Sequence, residues 1–221
     1  LQGLLQEGEN QLEFTCCFQQ SEKVYEALKN SLVFESEKNK LTYDMEIEPI
    51  YLVGDFSVKT KGSFQELERD AVRYSGSFSL GHLPRKINLE KIEQQGYPFF
   101  SGELTVEKEL DMERAEGILT LERQGINAVR VQINDNQVIT SIWNGESIDV
   151  SQFLRPGKNK IRLTLVNNLR NLLGPHHLEE GESYSVGPGS FFQESCVFKP
   201  GAEPKWNGDY CFVKTGILAE D

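Results

Sequence analysis

The chain has 221 residues with 34 acidic and 23 basic side chains, and its net charge of -11 disfavours nucleic acid as a partner, because most of the surface would repel a phosphate backbone. Its hydrophobic fraction is 38%, and no apolar run approaches the roughly 18 residues that a membrane-spanning helix needs. We therefore expect a globular chain with no membrane partner, long enough for one large β domain or for one domain and part of another.

The four cysteines indicate neither a disulfide framework nor a zinc site. Cys16 and Cys17 are adjacent and Cys196 and Cys211 stand alone, so no pair has the spacing of a ligand motif. We expect buried or half-buried free thiols, no metal and no cofactor.

The chain opens on Leu1 with neither an initiator Met nor a signal pattern, which predicts a fragment of a longer protein. The compartment, cytoplasmic or secreted, stays open.

A ten-residue repeat is the most informative internal pattern. Residues 5–14 and 154–163 both read Leu-x-x-Gly-x-Asn-x, followed by an apolar, a polar and an apolar residue. The Gly permits a positive φ, the Asn can bond to its own backbone, and the alternation is typical of a strand, so each copy predicts a turn that enters a half-buried strand. The separation of about 150 residues indicates two sandwich domains, the first entered partway through. Coincidence is the alternative.

The first hundred residues mix helical and strand patterns. Residues 21–30 have apolar side chains at helical spacing and predict a short helix. Residues 41–58 alternate apolar and polar side chains and predict strands, with Pro49 at an edge or a bulge. A hairpin is predicted near residues 74–78, where Gly76 lies between serines, and a short helix is predicted over residues 88–94.

The remaining elements read as strands at short intervals. Strands are predicted at 99–110 and 117–121, and the polar turn 134–136 joins strands 128–133 and 138–143 in a hairpin. Late strands are predicted at 191–192, 196–198 and 209–218. Short strands separated by turn residues, with few long helical periods, predict an all-β fold: an antiparallel β-sandwich with minor short helices.

An ordered set of short motifs supports a finer assignment. The motifs are Phe99-Phe-Ser-Gly102, Leu104-Thr-Val106, Val129-Arg-Val131-Gln-Ile133-Asn134, Trp143, Ile148-Asp149-Val150, Leu154-Arg-Pro-Gly157-Lys-Asn159-Lys-Ile161 and Val166-Asn-Asn168-Leu-Arg-Asn171. In this order, residues 102–171 resemble the galactose-binding-like jelly-roll domains of family-two β-galactosidase-like glycoside hydrolases. They are more closely similar to those of large bacterial α-L-rhamnosidase-type enzymes. Two positions depart from the family's pattern. Asp135 replaces the Gly of the family's turn, and Asn144 stands where the family often has a Pro, a few residues after the Trp.

The resemblance implies a role beside an enzyme rather than an activity. In those hydrolases such domains flank a catalytic barrel and mostly brace it, and that barrel has no counterpart here. The chain is thus expected to be a non-catalytic accessory domain of a bacterial glycoside hydrolase, with the parent's catalytic domain as its partner. We place the jelly roll at 59–221 and assign 1–58 to closing strands of a preceding sandwich or an extra N-terminal β layer. An autonomous carbohydrate-binding module and a protein interaction or adhesion domain are the alternatives.

The polar loop 167–177 is the best candidate for a ligand site. Its amides, guanidinium and imidazoles can bond to sugar hydroxyls, which both donate and accept, and Pro175 would hold the loop in one shape. The same groups could instead bond to neighbouring backbone as a structural loop. The two tryptophans could each stack on a pyranose ring of an oligosaccharide or fill a core. The predicted carbohydrate-binding residues are Trp143, Asn168, Arg170, Asn171, His176, His177 and Trp206.

No catalytic or metal-binding residue is predicted. Glycosidases need two carboxylates facing each other across a sugar at roughly 5 to 10 Å, and with 34 acidic residues such a pair can always be proposed. The cluster Glu179, Glu180 and Glu182 is more typical of a solvated charge run. His176 and His177 are sequential and point apart in extended backbone, so they cannot easily chelate one metal.

Overall fold

The computed structural model of the protein describes residues 3–33, 35–47, 49–182, 191–194, 197–200 and 205–218. The chain divides into two compact units, an N-terminal unit (Leu1–Gly54) and a C-terminal unit (Asp55–Asp221). Within the described ranges, no helix has both the length and the apolar character that crossing a bilayer requires.

The described residues of the N-terminal unit form two helices, α1 (Glu22–Ser31) and α2 (Glu35–Lys38). The helix predicted at 21–30 is therefore confirmed, and it buries Val24 on its apolar face. The strands predicted over 41–58 are not formed before Ser57, because described residues 41–47 and 49–56 pair with no neighbouring strand and most of their side chains are exposed. The assignment of residues 1–58 to a sandwich layer stays a prediction.

The described thiols are free, as the cysteine spacing predicts, but two of them are not buried. Cys16 and Cys17 are exposed because residues 11–19 belong to no helix or strand and are all exposed, whereas Cys211 is fully buried. Cys196 lies outside the described residues.

The C-terminal unit is built from short antiparallel strands. They are β1 (Ser57–Glu66), β2 (Ala71–Gly81), β3 (Glu103–Met112), β4 (Ile118–Gln124), β5 (Ile126–Ile133), β6 (Ile139–Ser141), β7 (Glu146–Asp149), β8 (Gly157–Asn167), β9 (Phe191–Glu194), β10 (Val197–Pro200), β11 (Tyr210–Val213) and β12 (Gly216–Leu218). The helical elements are α3 (Arg170–Leu173) and the single 3-10 turns Ile92–Gln94 and Ser151–Phe153. The predicted all-β class is confirmed, and the helix predicted at 88–94 shrinks to one 3-10 turn.

The strands form four sheets, in the orders β3-β8-β5-β6, β12-β4-β7, β1-β2-β11 and β10-β9. Every recorded strand pair is antiparallel. The predicted hairpin at 128–143 is confirmed, since β5 pairs with β6 in the register Val131 to Ile139. Its turn has Asn134 and Asp135 at positive φ, which short polar side chains tolerate better than branched ones.

The hairpin predicted around Gly76 is wrong. Strand β2 runs unbroken through that position, and the reversal lies earlier, at Arg69 and Asp70, which both have positive φ. Gly76 instead pairs with Gly62 across β1 and β2, and a Cβ on Gly62 would lie 2.1 Å from the carbonyl oxygen of Ser75. The two glycines therefore serve a close approach of two backbones, not a turn.

Two apolar clusters form the core among the described residues of the C-terminal unit. The larger one lies between the sheets β3-β8-β5-β6 and β12-β4-β7 and includes Val129, Val131, Leu165, Leu121 and Ile217. The period-two alternation of β5 places its valines in this cluster and its intervening polar residues outside. A second cluster, of Val72, Tyr74 and Phe212 with partly buried aromatic neighbours, covers the sheet β1-β2-β11.

Candidate functional site

The predicted polar loop begins where β8 ends and turns at once into the one-turn helix α3. The Oδ1 of Asn167 accepts from the backbone N–H of Asn168 at 2.8 Å, and the Oδ1 of Asn168 accepts from that of Arg170 at 2.9 Å. Such local side-chain bonds are typical of Asn in turns, and they start α3. The Oδ1 of Asn168 is therefore engaged by the turn.

Asn171 is buried and connects α3 to β11. Its Nδ2 donates to the carbonyl of Val213 at 2.8 Å and to the Oγ1 of Thr215 at 3.1 Å, while its Oδ1 accepts from the Val213 N–H at 2.7 Å. The side chain is 4% exposed. Both ends of this amide are occupied by protein groups, so the geometry supports the structural alternative at this position.

His176 and His177 lie against the aromatic cluster of the sheet β1-β2-β11. The Nε2 of His176 donates to the carbonyl of Asn171 at 2.9 Å, and the Nδ1 of His177 donates to the carbonyl of Asp209 at 2.8 Å. The ring of His177 lies 4.6 Å from that of Tyr210, and burial is the main cause that lowers the pKa of His176. The second nitrogen of His177 is an acceptor when the ring is neutral, so His177 can bond to a hydroxyl.

Trp206 is joined to this loop through the backbone. It forms an antiparallel bridge with Leu178, and the Asn207 N–H donates to the carbonyl of His177 at 3.0 Å. Because side chains alternate along extended backbone, Trp206 shares the face of Leu178, and His177 lies on the opposite face. The indole is 59% exposed, so Trp206 does not fill the core.

Arg170 forms a half-buried ion pair. Its Nε lies 2.6 Å from the Oε2 of Glu182, and its two terminal nitrogens are buried with no recorded hydrogen bond in the described part of the chain. The predicted solvated acidic run is thus partly engaged, because Arg69 also lies 4.0 Å from Glu180.

The side chain of Asn168 also reaches a second network, which adjoins Trp143. The Nδ2 of Asn168 lies 3.5 Å from the Oδ1 of Asn127, and Arg123 donates to the carbonyls of Asn127 at 3.4 Å and Ser141 at 3.0 Å. The Oγ of Ser141 donates to the carbonyl of Trp143 at 3.4 Å, and Trp143 is 71% exposed. Of the predicted residues, the structure therefore groups Arg170, Asn171, His176, His177 and the backbone of Trp206.

Arg123 and Asn127 are polar residues that the sequence analysis missed. Arg123 is 7% exposed although it is charged, and it lies two positions after the buried Leu121 in β4. A charged residue in the apolar row of a strand is the signal that could have identified it, because burial of a charge requires partners.

The described residues contain no group of three or more metal-ligating side chains arranged to hold an ion. Glu93 is fully buried, and burial is the largest cause that raises its pKa. Its carboxylate accepts from the Thr215 N–H at 2.9 Å and from Gln94 at 3.0 Å, so it links the 3-10 turn at residues 92–94 to the start of β12. Glu93 is thus occupied by internal bonds.

Comparison with known proteins adds little to this picture. No family model matches the sequence, and no curated protein matches it. A solved β-D-glucuronidase from Dictyoglomus thermophilum, a glycoside hydrolase, is a weak structural neighbour at 14% identity and a TM-score of 0.26. The match covers 75% of this chain and 29% of the enzyme, so the chain spans less than a third of that protein. A superposition this distant fixes neither fold nor activity.

Proposed function

We propose that this chain is a non-catalytic accessory domain of a carbohydrate-active enzyme, with the galactose-binding-like jelly-roll arrangement that its sequence resembles. In this role the C-terminal unit braces the catalytic domain of a parent glycoside hydrolase. The observation that carries the proposal is the placement of three motifs behind the resemblance, at 104–106, 129–134 and 154–161, on β3, β5 and β8 and their turns, which are neighbours in one sheet.

Strand order supports this proposal. The motif at 104–106 lies in β3, the motif at 129–133 lies in β5, and the turn ending in Gly157 opens β8, which pairs with both. The same sheet shares an apolar core with β12-β4-β7. A unit with its own ladder and core can fold as a domain beside a catalytic domain, as an accessory domain must.

The test compares the full polypeptide expressed from its gene, the same polypeptide without residues 55–221, and the 221-residue chain alone. We expect the full polypeptide to hydrolyse p-nitrophenyl glycosides and the 221-residue chain to be inactive. Deletion is expected to lower the thermal midpoint of the catalytic part. A full polypeptide without glycosidase activity, or an active 221-residue chain, would contradict the proposal.

A carbohydrate-binding module is the second candidate function. The exposed indoles of Trp143 and Trp206 favour it, since flat aromatic rings open to solvent can stack on sugar rings. Titration calorimetry with galactosides and rhamnosides is expected to give saturable heat at millimolar ligand. Trp206→Ala should abolish it, whereas Tyr25→Ala, which removes an exposed ring in the N-terminal unit, should leave it unchanged. Absence of saturable heat for every sugar rejects this function.

A further inference from the structure

The C-terminal unit contains an apolar cleft that the sugar proposals do not use. Its volume is about 810 Å³, within the range of about 300 to 1,000 Å³ that small-molecule sites occupy. The walls come from β3, β8, β4 and the connection 84–97. Its apolar lining includes Leu104, Val106, Leu110, Ile161, Leu163 and Leu119.

Lys108 places a positive charge in this apolar wall. Strand β3 lines the cleft with residues 104–108 and Leu110, and the alternation of side chains along the strand places Lys108 in the row of Val106 and Leu110. It is directly opposite Ile161 of β8. In the part of the chain that the structure describes, no ion pair or hydrogen bond is recorded for its ammonium group.

Edge protection is the alternative explanation for Lys108. Strand β3 is an edge of its sheet, and an inward-pointing charge on an edge strand discourages pairing with another chain. That explanation does not cover Arg85 and Lys86, which line the same cleft from the connection between β2 and β3. Both are exposed, and the described residues provide no ion-pair partner for either.

The negative charge at the cleft is already compensated. Glu107 is the acidic residue in the lining, and its carboxylate lies 2.9 Å from the Nζ of Lys160 and 2.6 Å from the Nε of Arg162. Three cations, Arg85, Lys86 and Lys108, therefore surround an apolar space in a protein whose net charge is -11. A local positive field of this kind concentrates anions against the overall charge.

Tyr97 supplies a neutral donor in the same cleft. Its ring lines the cleft and packs edge-on against Phe100 at 5.7 Å between centroids. Burial raises the pKa of Tyr97, so its hydroxyl stays protonated and able to donate.

We propose that this cleft binds an amphiphilic small molecule with an apolar body and an anionic head group. The body lies between β3 and the connection 84–97, and Lys108, Arg85 and Lys86 hold the head. Apolar burial provides most of the affinity and the cations provide the preference for an anion, since a charge-assisted contact adds to burial only where the head group is negative. This ligand site does not depend on the proposed function, because no residue of the sugar site lines the cleft.

The test is a calorimetric titration of the full 221-residue chain with decanoate below its critical micelle concentration. We expect saturable 1:1 binding, and weaker binding of decyltrimethylammonium, which has the same tail and the opposite charge. Lys108→Met keeps the length of the side chain and should weaken decanoate binding about tenfold, the effect of about 1.4 kcal/mol, without changing the thermal midpoint. Lys61→Met, an exposed lysine of β1 away from the cleft, is the matched control and should bind decanoate normally.

A second variant keeps the test decisive if Lys108→Met is unstable. The pair Arg85→Gln and Lys86→Gln lies in a connection rather than a strand, and it should weaken decanoate binding without weakening decyltrimethylammonium binding. Absence of saturable decanoate binding would overturn the proposal. So would equal affinity for the two probes, or lysine and arginine variants that bind decanoate like the natural chain.

Discussion

The side-chain amide of Asn134 donates to the Oδ1 of Asn159 at 2.7 Å, which joins the turn after β5 to the turn before β8. Asn159 is fully buried, and its Nδ2 donates to the carbonyls of Arg155 and Gly157. Asn134 also donates to the carbonyl of Phe153 at 3.0 Å. Two turns that the sequence analysis treats separately are thus one hydrogen-bonded unit.

The first copy of the repeat folds into the same turn without this partner. Asn10 accepts from the Gln6 N–H at 2.9 Å and donates to the carbonyls of Gln6 and Gly8, as Asn159 does with Arg155 and Gly157. Gly8 has a φ of 98°, in the region that glycine favours. This copy is exposed, and residues 11–20, which directly follow it, form no strand.

This contrast predicts different costs for the same substitution. Asn159→Ala leaves several buried groups without partners and should lower the free energy of unfolding by about 2 to 4 kcal/mol, since each such group costs about 1 to 3 kcal/mol. Asn10→Ala removes the same bonds at an exposed turn and should change it by less than about 0.5 kcal/mol. Urea unfolding of both variants, with unchanged m values, provides the comparison. Equal destabilisation by the two substitutions would contradict the difference in burial.

The Gly62 and Gly76 pair predicts a second asymmetry. Gly62→Ala places a Cβ 2.1 Å from the backbone oxygen of Ser75, so β1 and β2 must separate locally. We expect a loss of at least about 1 to 3 kcal/mol, the usual cost of overpacking. Gly208→Ala, where no atom lies within 4 Å of the new Cβ, is the matched control. Thermal unfolding that is unchanged in Gly62→Ala would show that the two backbones do not approach as closely as described.

The fold was predictable where pattern and burial coincide. Residues 128–133 alternate in sequence, and Val129, Val131 and Ile133 are buried in the structure. The hairpin predicted around Gly76 was wrong because glycine occurs both where a chain reverses and where two backbones approach closely. One sequence does not distinguish these two uses of glycine. The strands predicted over residues 41–53 were wrong because a segment that alternates apolar and polar side chains forms a strand only where another strand pairs with it.

The site was predictable in residue type but not in role. The loop 167–177 is rich in polar side chains, yet whether Asn171 points to solvent or to β11 depends on where β11 lies, and β11 is some forty residues later. The exposure of Trp206 depends in the same way on its bridge to Leu178. Lys108 was visible as a cation in an apolar row, but the cleft exists only once the connection 84–97 covers β3.

The contacts of Glu66 with two lysines lead us to expect a loss of stability in acid that depends on salt. Hydrogen bonds from Lys91 and then Lys214 lower its pKa to about 2. The folded state therefore holds fewer protons than the unfolded state, so its contribution is present above the unfolded pKa of about 4.5 and is lost as the pH falls toward 2. Glu66→Gln should reduce the slope of the thermal midpoint against pH in this window. The reduction should shrink in 1 M NaCl, because the carboxylate is exposed and therefore screened by salt. A slope that Glu66→Gln leaves unchanged at low salt would refute this role.

The burial of His176 leads us to expect a loss of stability on mild acidification. Burial is the main cause that lowers its pKa, the nearby charges of Arg170 and His177 add to the effect, and the hydrogen bond to the Asn171 carbonyl opposes it. A base whose pKa is lower in the folded state binds more protons when unfolded, so protons favour unfolding. The stability contributed by neutral His176 is therefore complete above the unfolded pKa of about 6.5 and declines as the pH falls from there to the lower folded pKa.

The test follows the thermal midpoint of three proteins between pH 8 and pH 5. His176→Gln keeps a donor for the Asn171 carbonyl but does not titrate, so its midpoint should fall less steeply with acidification than that of the natural chain. His82→Gln removes an exposed histidine in another part of the unit and should leave the slope unchanged. Because burial is what disfavours the charged ring, the difference between the two variants should persist in 1 M NaCl, unlike the effect of Glu66. Identical slopes for His176→Gln and the natural chain would show that this imidazole is equally solvated in both states.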